Sequence, residues 1–217
     1  RRKEDHEEAP MKVGVLGGTF DPIHCGHIAA ADAAQQALQL DEVLLIPSRI
    51  PPHRADATRA SAEDRYAMAA LAARERPRWS ASRIEIDRTG PSYSYDTLVQ
   101  LRKARGDEAE PQFFFITGAD AFADIASWSR FPAVLDLANF VVVSRPGITL
   151  DSLRDRVPAA FGRESSATTR VILVEALTPD VSSTDIRRRI GAGESLAGLV
   201  PDAVAAYISA HRLYAGS

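Results

Sequence analysis

The sequence predicts an α/β protein built on a doubly wound, mostly parallel sheet with helices on both faces. Two observations carry this. From Met11 onward, short runs that are apolar throughout alternate with longer segments of helical pattern, and strands apolar on both faces belong to a sheet covered on both sides. Glycine, histidine and serine clusters fall just after such runs, and open sheets of this class bind ligands beyond the carboxyl ends of their strands.

Taken in order, Lys12–Leu16 is a compact apolar strand that ends at Gly17-Gly18. A helix over 25–38 follows, with Ile28, Ala31 and Leu38 on one side for packing on the sheet. Val43–Ile46 is a second strand, stopped by Pro47, and Pro51–Ala60 reads as a long mobile loop. Ile84–Ile86, Phe113–Ile116, Phe140–Val143 and Val171–Val174 are β-branched or aromatic runs bounded by turn residues and give four further strands. Helices are expected at 61–75, 94–105, 131–138, 183–191 and 201–210.

With 217 residues and no repeat or interdomain linker, residues 11–217 are expected to form a single domain. Residues 1–10 are charged, precede Met11 and lack the apolar stretch of a signal peptide, so they read as an extension, disordered or not native to the protein. A net charge of −3 provides no global basic field for nucleic acid or an anionic membrane, so phosphate binding must come from a local site. Cys25 is the single cysteine, which excludes an intrachain disulfide and fits a reducing compartment. No apolar run approaches the roughly 20 residues that span a bilayer. The expectation is a cytoplasmic protein with small-molecule substrates; a homo-oligomer stays open.

The most informative segment is Gly17-Gly18-Thr19-Phe20-Asp21-Pro22-Ile23-His24-Cys25-Gly26-His27, which leaves the first strand and opens the first helix. Its glycines let backbone approach a ligand, and the helix start offers unpaired N–H groups. His24 and His27, one turn apart, can face the same phosphates, and Gly26 removes a side chain where a nucleotide could lie. Three of the five histidines, His24, His27 and His53, sit in two proline-marked segments, which argues against incidental placement. No Gly-Lys-Ser/Thr follows and no G-x-G-x-x-G occurs, so this is neither a P-loop nor a dehydrogenase fingerprint. Zinc binding by the pair lacks a cysteine partner or an H-E-x-x-H pattern. Cys25 has no base placed for it and reads as a small filler. A second segment, Val181-Ser182-Ser183-Thr184-Asp185-Ile186-Arg187, is a serine- and threonine-rich helix start with an arginine one turn on. Alone it could be an N-cap; with hydroxyls, free N–H groups and a guanidinium fork it also suits a polyphosphate.

The two segments together resemble the signatures of the nucleotidyltransferase superfamily with the HxGH motif, with Val181 where isoleucine is usual. Further segments resemble those of bacterial nicotinate-mononucleotide adenylyltransferases: Pro51-Pro52-His53-Arg54, Pro91-Ser92-Tyr93-Ser94-Tyr95-Asp96-Thr97-Leu98, Gly118-Ala119-Asp120 followed by Trp128, and Ser144-Arg145-Pro146-Gly147. The resemblance runs from Lys12 to about Tyr214. It departs at Ser94, where the family often has threonine, and at Ser129, where a larger residue is common.

The resemblance implies a Rossmann-like nucleotidyltransferase fold and adenylyl transfer from ATP to nicotinate mononucleotide in NAD biosynthesis. It implies that His24, His27 and Arg187 act on the phosphates. Gly17, Gly18, Thr19, Phe20, Gly26, Arg54, Gly118, Asp120, Ser144, Arg145, Ser182, Ser183 and Thr184 would bind the ATP co-substrate, and Ser94, Tyr95, Trp128 and Ser129 the acceptor. Mg²⁺ is expected on ATP oxygens and water, without a named protein ligand. Trp128 can also be read as a partly buried packing residue, and Asp120 as a helix cap; Trp79 is assigned to packing. Two alternatives stay open: a sister adenylyl- or cytidylyltransferase with another phosphate acceptor, and a non-catalytic nucleotide-binding domain on the same fold.

Overall fold

The computed structural model describes residues 9–52, 58–104, 111–144, 147–161 and 171–215. Six strands form one sheet: β1 (Lys12–Gly18), β2 (Glu42–Pro47), β3 (Trp79–Ala81), β4 (Gln112–Gly118), β5 (Asn139–Ser144) and β6 (Val171–Glu175). Their order is β3-β2-β1-β4-β5-β6, and every pairing is parallel. The chain winds outward from β1 to β3, then returns to β4 and winds the other way. The order therefore reverses between β1 and β4, where such sheets open a crevice.

Alternation along the strands explains why they are apolar throughout. Val43 and Leu45 of β2 enter one core layer while Leu44 and Ile46 enter the other; in β5, Val141 and Val143 oppose Phe140 and Val142 in the same way. The first layer is closed by α1 (Cys25–Leu38), α2 (Ala62–Arg74), α7 (Ser183–Gly191) and α8 (Asp202–Ala210), through Ile28, Met68, Ile186 and Ile208. The second is closed by α3 (Ser94–Ala104), α4 (Ala119–Ala123) and α5 (Leu150–Arg156), through Leu98, Phe122 and Leu153. A short α6 (Pro158–Phe161) follows α5.

Two expected elements are corrected. Ile84–Ile86 is not a strand: the third strand is Trp79–Ala81, pairing Val43 with Trp79 and Leu45 with Ala81. The chain leaves the sheet once the Ser82 N–H meets the Leu45 carbonyl, and a turn with Asp87 N–H donating to Arg83 O follows. Ile86 is buried there as a packing residue of the turn; its β-branched character reported burial rather than sheet pairing. The helix expected over 131–138 is a 3₁₀ turn at Ala133–Asp136, after Phe131-Pro132. The helices α4, α5 and α6 were not anticipated. The other expected helices agree to within a residue at each end, α2 starting where the Ser61 hydroxyl accepts the Asp64 N–H.

Candidate active site

A crevice of about 720 Å³ lies at the carboxyl ends of β1 and β4. Gly17, Gly18 and Thr19 form one wall, with His27 beside them; Thr117, Gly118, Asp120 and Asp124 form the opposite wall. Pro51, Pro52, Glu85 and Ser92–Ser94 close one end, together with Trp128 and Ser129. A Cβ on Gly118 would meet nothing within 4 Å, so the bare backbone there serves the crevice rather than packing.

The glycine-rich segment is shaped by its own side chains. Phe20 is 1% exposed with φ 51°, and a Cβ on Gly18 would sit 2.7 Å from its ring. Gly18 is therefore glycine to let Phe20 fold beneath the turn, and Phe20 is a core residue rather than part of the crevice wall. Gly26 likewise serves His24: a Cβ would fall 3.0 Å from His24 Nδ1 and 3.3 Å from Val181 Cγ1. The room expected for nucleotide at Gly26 is taken by the imidazole.

His24 caps α1, and its N–H donates to His27 Nδ1 at 3.2 Å. The two rings stack at 3.7 Å, and Phe20 meets His27 edge-on at 5.1 Å. Burial pushes His24 down to about 4; burial, then the neighbouring His24, holds His27 well below the usual imidazole range. Both are neutral near pH 7. Because His27 Nδ1 accepts, its proton must sit on Nε2, which makes it a directed hydrogen-bond donor. His24 Nδ1 is buried and faces the backbone N–H of His27 in the capping box that opens α1.

The start of α7 docks on the same turn. Ser183 Oγ donates to the Pro22 carbonyl at 2.9 Å, and Arg187 Nη1 donates to the Asp21 carbonyl at 2.7 Å. Arg187 Nη2 reaches Thr184 Oγ1 at 3.2 Å. Ser182 Oγ accepts the Asp185 N–H as an N-cap, which leaves its own O–H free to donate, whereas the Ser183 O–H is spent on the Pro22 carbonyl. Arg187 thus stands beside the histidine turn, although it does not line the main crevice.

At the far end, Trp128 packs edge-on against Phe115 at 5.6 Å and Phe140 at 6.4 Å while lining the crevice. It is fixed by packing and partly exposed at once, as a stacking platform requires. Ser94 lines the crevice, but Tyr95 packs on the core layer beneath α3, with the Arg130 guanidinium 5.2 Å from its ring. Tyr93 takes the crevice position instead. Asp120 is exposed in the first turn of α4, whose N-cap is Gly118. Ser144 is buried at the end of β5, its Oγ unpartnered among the described residues. Arg54 and Arg145 lie outside the described residues.

Several organising residues carried no weight in the sequence reading. Arg65 is 1% exposed and donates to the carbonyls of Thr19, Ser48, Arg49 and Ala60, tying the loops after β1 and β2 together. Its signal was legible: Arg65, Met68, Ala69 and Ala72 share the buried face of α2, and an arginine there is an anomaly. Asp21 is 3% exposed and accepts the Arg59 and Ala60 N–H groups and the Tyr214 hydroxyl. Glu85, buried on the crevice, accepts the Thr97 hydroxyl at 2.6 Å, and burial pushes its carboxyl up.

Residues 15–189 match the family model described as cytidylyltransferase-like. Over 202 residues the chain is 45% identical to a protein of Roseiflexus sp. (strain RS-1), covering 93% of this chain and 97% of that one. It is 43% identical over 204 residues to a protein of Thermus thermophilus, covering 94% and 100%. Both bear the name "Probable nicotinate-nucleotide adenylyltransferase". The chain belongs to the nicotinate-nucleotide adenylyltransferase family. The family fold extends to solved structures of low identity: Plasmodium falciparum nicotinic acid mononucleotide adenylyltransferase complexed with NaAD superposes at a TM-score of 0.73 and 17% identity, covering 94% of this chain and 97% of that one. The all-parallel sheet and the crevice at its reversal are therefore set within a nucleotidyltransferase of this family.

Proposed function

We propose that this protein transfers the adenylyl group of ATP to nicotinate mononucleotide, releasing pyrophosphate and making nicotinate adenine dinucleotide for NAD biosynthesis. The observation that carries the proposal is the two-ended crevice: the His27 imidazole, stacked on His24, by Gly17-Gly18 at one side, and a partly exposed, packed tryptophan at the other.

An oxygen of the acceptor 5′-phosphate attacks the α-phosphorus, a new P–O bond forms, and the bond to the β-phosphate oxygen breaks. The nucleophile is already anionic, so no general base is required. Positioning and charge stabilisation then dominate. His27 donates from Nε2 to the α-phosphoryl oxygens, and His24 supports it from beneath. Arg187, the Thr184 and Ser182 hydroxyls and the Ser183 backbone N–H serve the β and γ phosphates at the start of α7, with Arg54 and Arg145 as further cations for them. Among the described residues, no three His, Cys, Asp or Glu converge as a metal cage. Mg²⁺ would ride on ATP oxygens and water, screening part of the triphosphate charge. Trp128 stacks on the nicotinate ring, and backbone N–H groups near Tyr95 and Ser129 read its carboxylate. The same reading takes the enzyme to be cytoplasmic; separately, among the described residues no helix is long and apolar enough to cross a membrane.

The test is pyrophosphate release from ATP and Mg²⁺ with a panel of acceptors: nicotinate and nicotinamide mononucleotides, phosphopantetheine and none. Release is expected with nicotinate mononucleotide above all others. Preference for phosphopantetheine, or ATP binding without turnover of any acceptor, overturns the proposal.

A further inference from the structure

We propose that Tyr214 is a positioning residue for ATP: its hydroxyl occupies Asp21 and so keeps the Arg187 guanidinium available to the triphosphate. This rests on the adenylyltransferase proposal above and adds a residue far from both signature segments.

Tyr214 lies in the segment after α8, is 6% exposed, and donates to Asp21 Oδ1 at 2.9 Å. The same carboxylate accepts the Ala60 N–H on Oδ1 at 3.0 Å and the Arg59 N–H on Oδ2 at 2.8 Å. Arg187 Nη1 donates to the Asp21 main-chain carbonyl at 2.7 Å, while Asp21 Oδ2 stands 3.8 Å away. That separation is too long for a hydrogen bond. The ion pair is thus incomplete, and the fork is held by one nitrogen only on the Asp21 side.

A buried carboxylate seeks all the donors it can reach. Arg187 is the adjacent donor with capacity to spare. Without the phenol, Asp21 Oδ1 loses a partner, and the carboxylate and guanidinium are drawn toward the bidentate geometry they favour. That closure would turn the fork into the protein and away from a phosphate. Tyr214 prevents it by satisfying the carboxylate first. Burial, with Asp21 close by, pushes the phenol up, so it remains a donor across the working pH range.

The molecule supplies a half-buried counterpart. Tyr207 of α8 also donates to an aspartate, reaching Asp64 Oδ1 of α2 at 2.9 Å, but among the described residues Asp64 touches none of the phosphate machinery. Tyr214→Phe and Tyr207→Phe each remove one hydroxyl that tethers the same end of the fold. ATP dissociation constants are measured by titration calorimetry without acceptor, and steady-state turnover is measured alongside. Tyr214→Phe should weaken ATP about tenfold, the scale of a lost hydrogen bond to a charged group. Its KM for the mononucleotide should hold, and Tyr207→Phe should bind ATP within about twofold of the parent, well inside that scale. In an Arg187→Lys background, Tyr214→Phe should weaken ATP little further, because both act through one contact. Equal ATP affinities in the two phenylalanine variants overturn the proposal, as do additive losses or a Tyr214→Phe chain that fails to fold at 25 °C. Absence of turnover in the parent with ATP binding intact would instead count against the acceptor proposal alone.

Discussion

The neutral state of His27 makes a specific demand on mutagenesis. Its Nδ1 accepts the His24 N–H at 3.2 Å, so it is part of the α1 cap and, under the proposed function, a donor through Nε2. His27→Asn separates the two: asparagine Oδ1 lies near the position of Nδ1 and can keep the cap, but nothing replaces Nε2–H. A hydrogen bond to a charged group is worth about 1.5–3 kcal/mol, and removing one donor to a developing oxyanion costs about 10²–10³ in rate. His27→Asn should therefore melt within a few degrees of the parent while kcat falls about 10²-fold. His27→Gln, whose amide nitrogen approaches the Nε2 position, should recover part of that loss. Pyrophosphate release at saturating ATP and acceptor gives kcat, and thermal denaturation followed by circular dichroism gives the fold. An asparagine variant with kcat within about tenfold of the parent would refute the donor role, since that loss falls below a single oxyanion contact.

Three further outcomes are expected. Trp128→Ala should lower kcat/KM about tenfold for both nicotinate and nicotinamide mononucleotides through lost stacking; the acid should stay preferred because backbone donors remain, and loss of the preference would assign discrimination to the ring. His24 is held at about 4 against an ordinary 6.5, so as pH falls the unfolded chain takes its proton first. Stability is full above pH 6.5 and declines toward pH 4, by about 3 kcal/mol from this residue. Melting curves across that window should be shallower for His24→Gln, and parallel curves would contradict the assignment. Arg65→Met leaves four carbonyls without their donor, so it should cost at least about 3 kcal/mol and lower Tm by about 10 °C, with Arg65→Lys rescuing only part; a Tm within two or three degrees of the parent on that scale would show the carbonyls find other donors.

What the sequence disclosed followed from periodicity and composition acting locally. The strands β1, β2, β4 and β5 were legible because each feeds two core layers, and β6, a half-buried edge, because its run is β-branched and apolar. The strand β3 was not: it is a three-residue edge with Trp79 buried and Ser80 exposed, and nothing in Trp-Ser-Ala announces pairing. Ile84–Ile86 drew attention instead, because β-branched residues mark burial as readily as strands. The histidine pair and the start of α7 were legible as glycine and hydroxyl chemistry at strand ends. Their protonation was not, since it depends on burial that the finished fold creates.

The glycines of the first motif illustrate the same division. In sequence they read as letting backbone approach a ligand; the close partners in the fold are Phe20 for Gly18 and His24 for Gly26. Each glycine shapes the turn by admitting a neighbouring side chain. The same holds over longer range for Asp21. It sits in the first motif, yet its partners Ala60, Arg187 and Tyr214 are 39, 166 and 193 residues away. A contact of that span leaves no local pattern, because periodicity reports only which face a residue is on. Arg65 was the intermediate case. Its partners are remote carbonyls, but a charge on the alanine face of α2 implies that buried acceptors must exist. A buried charge in an apolar stripe is thus a legible sign of an organised site, even where the site itself must come from the fold.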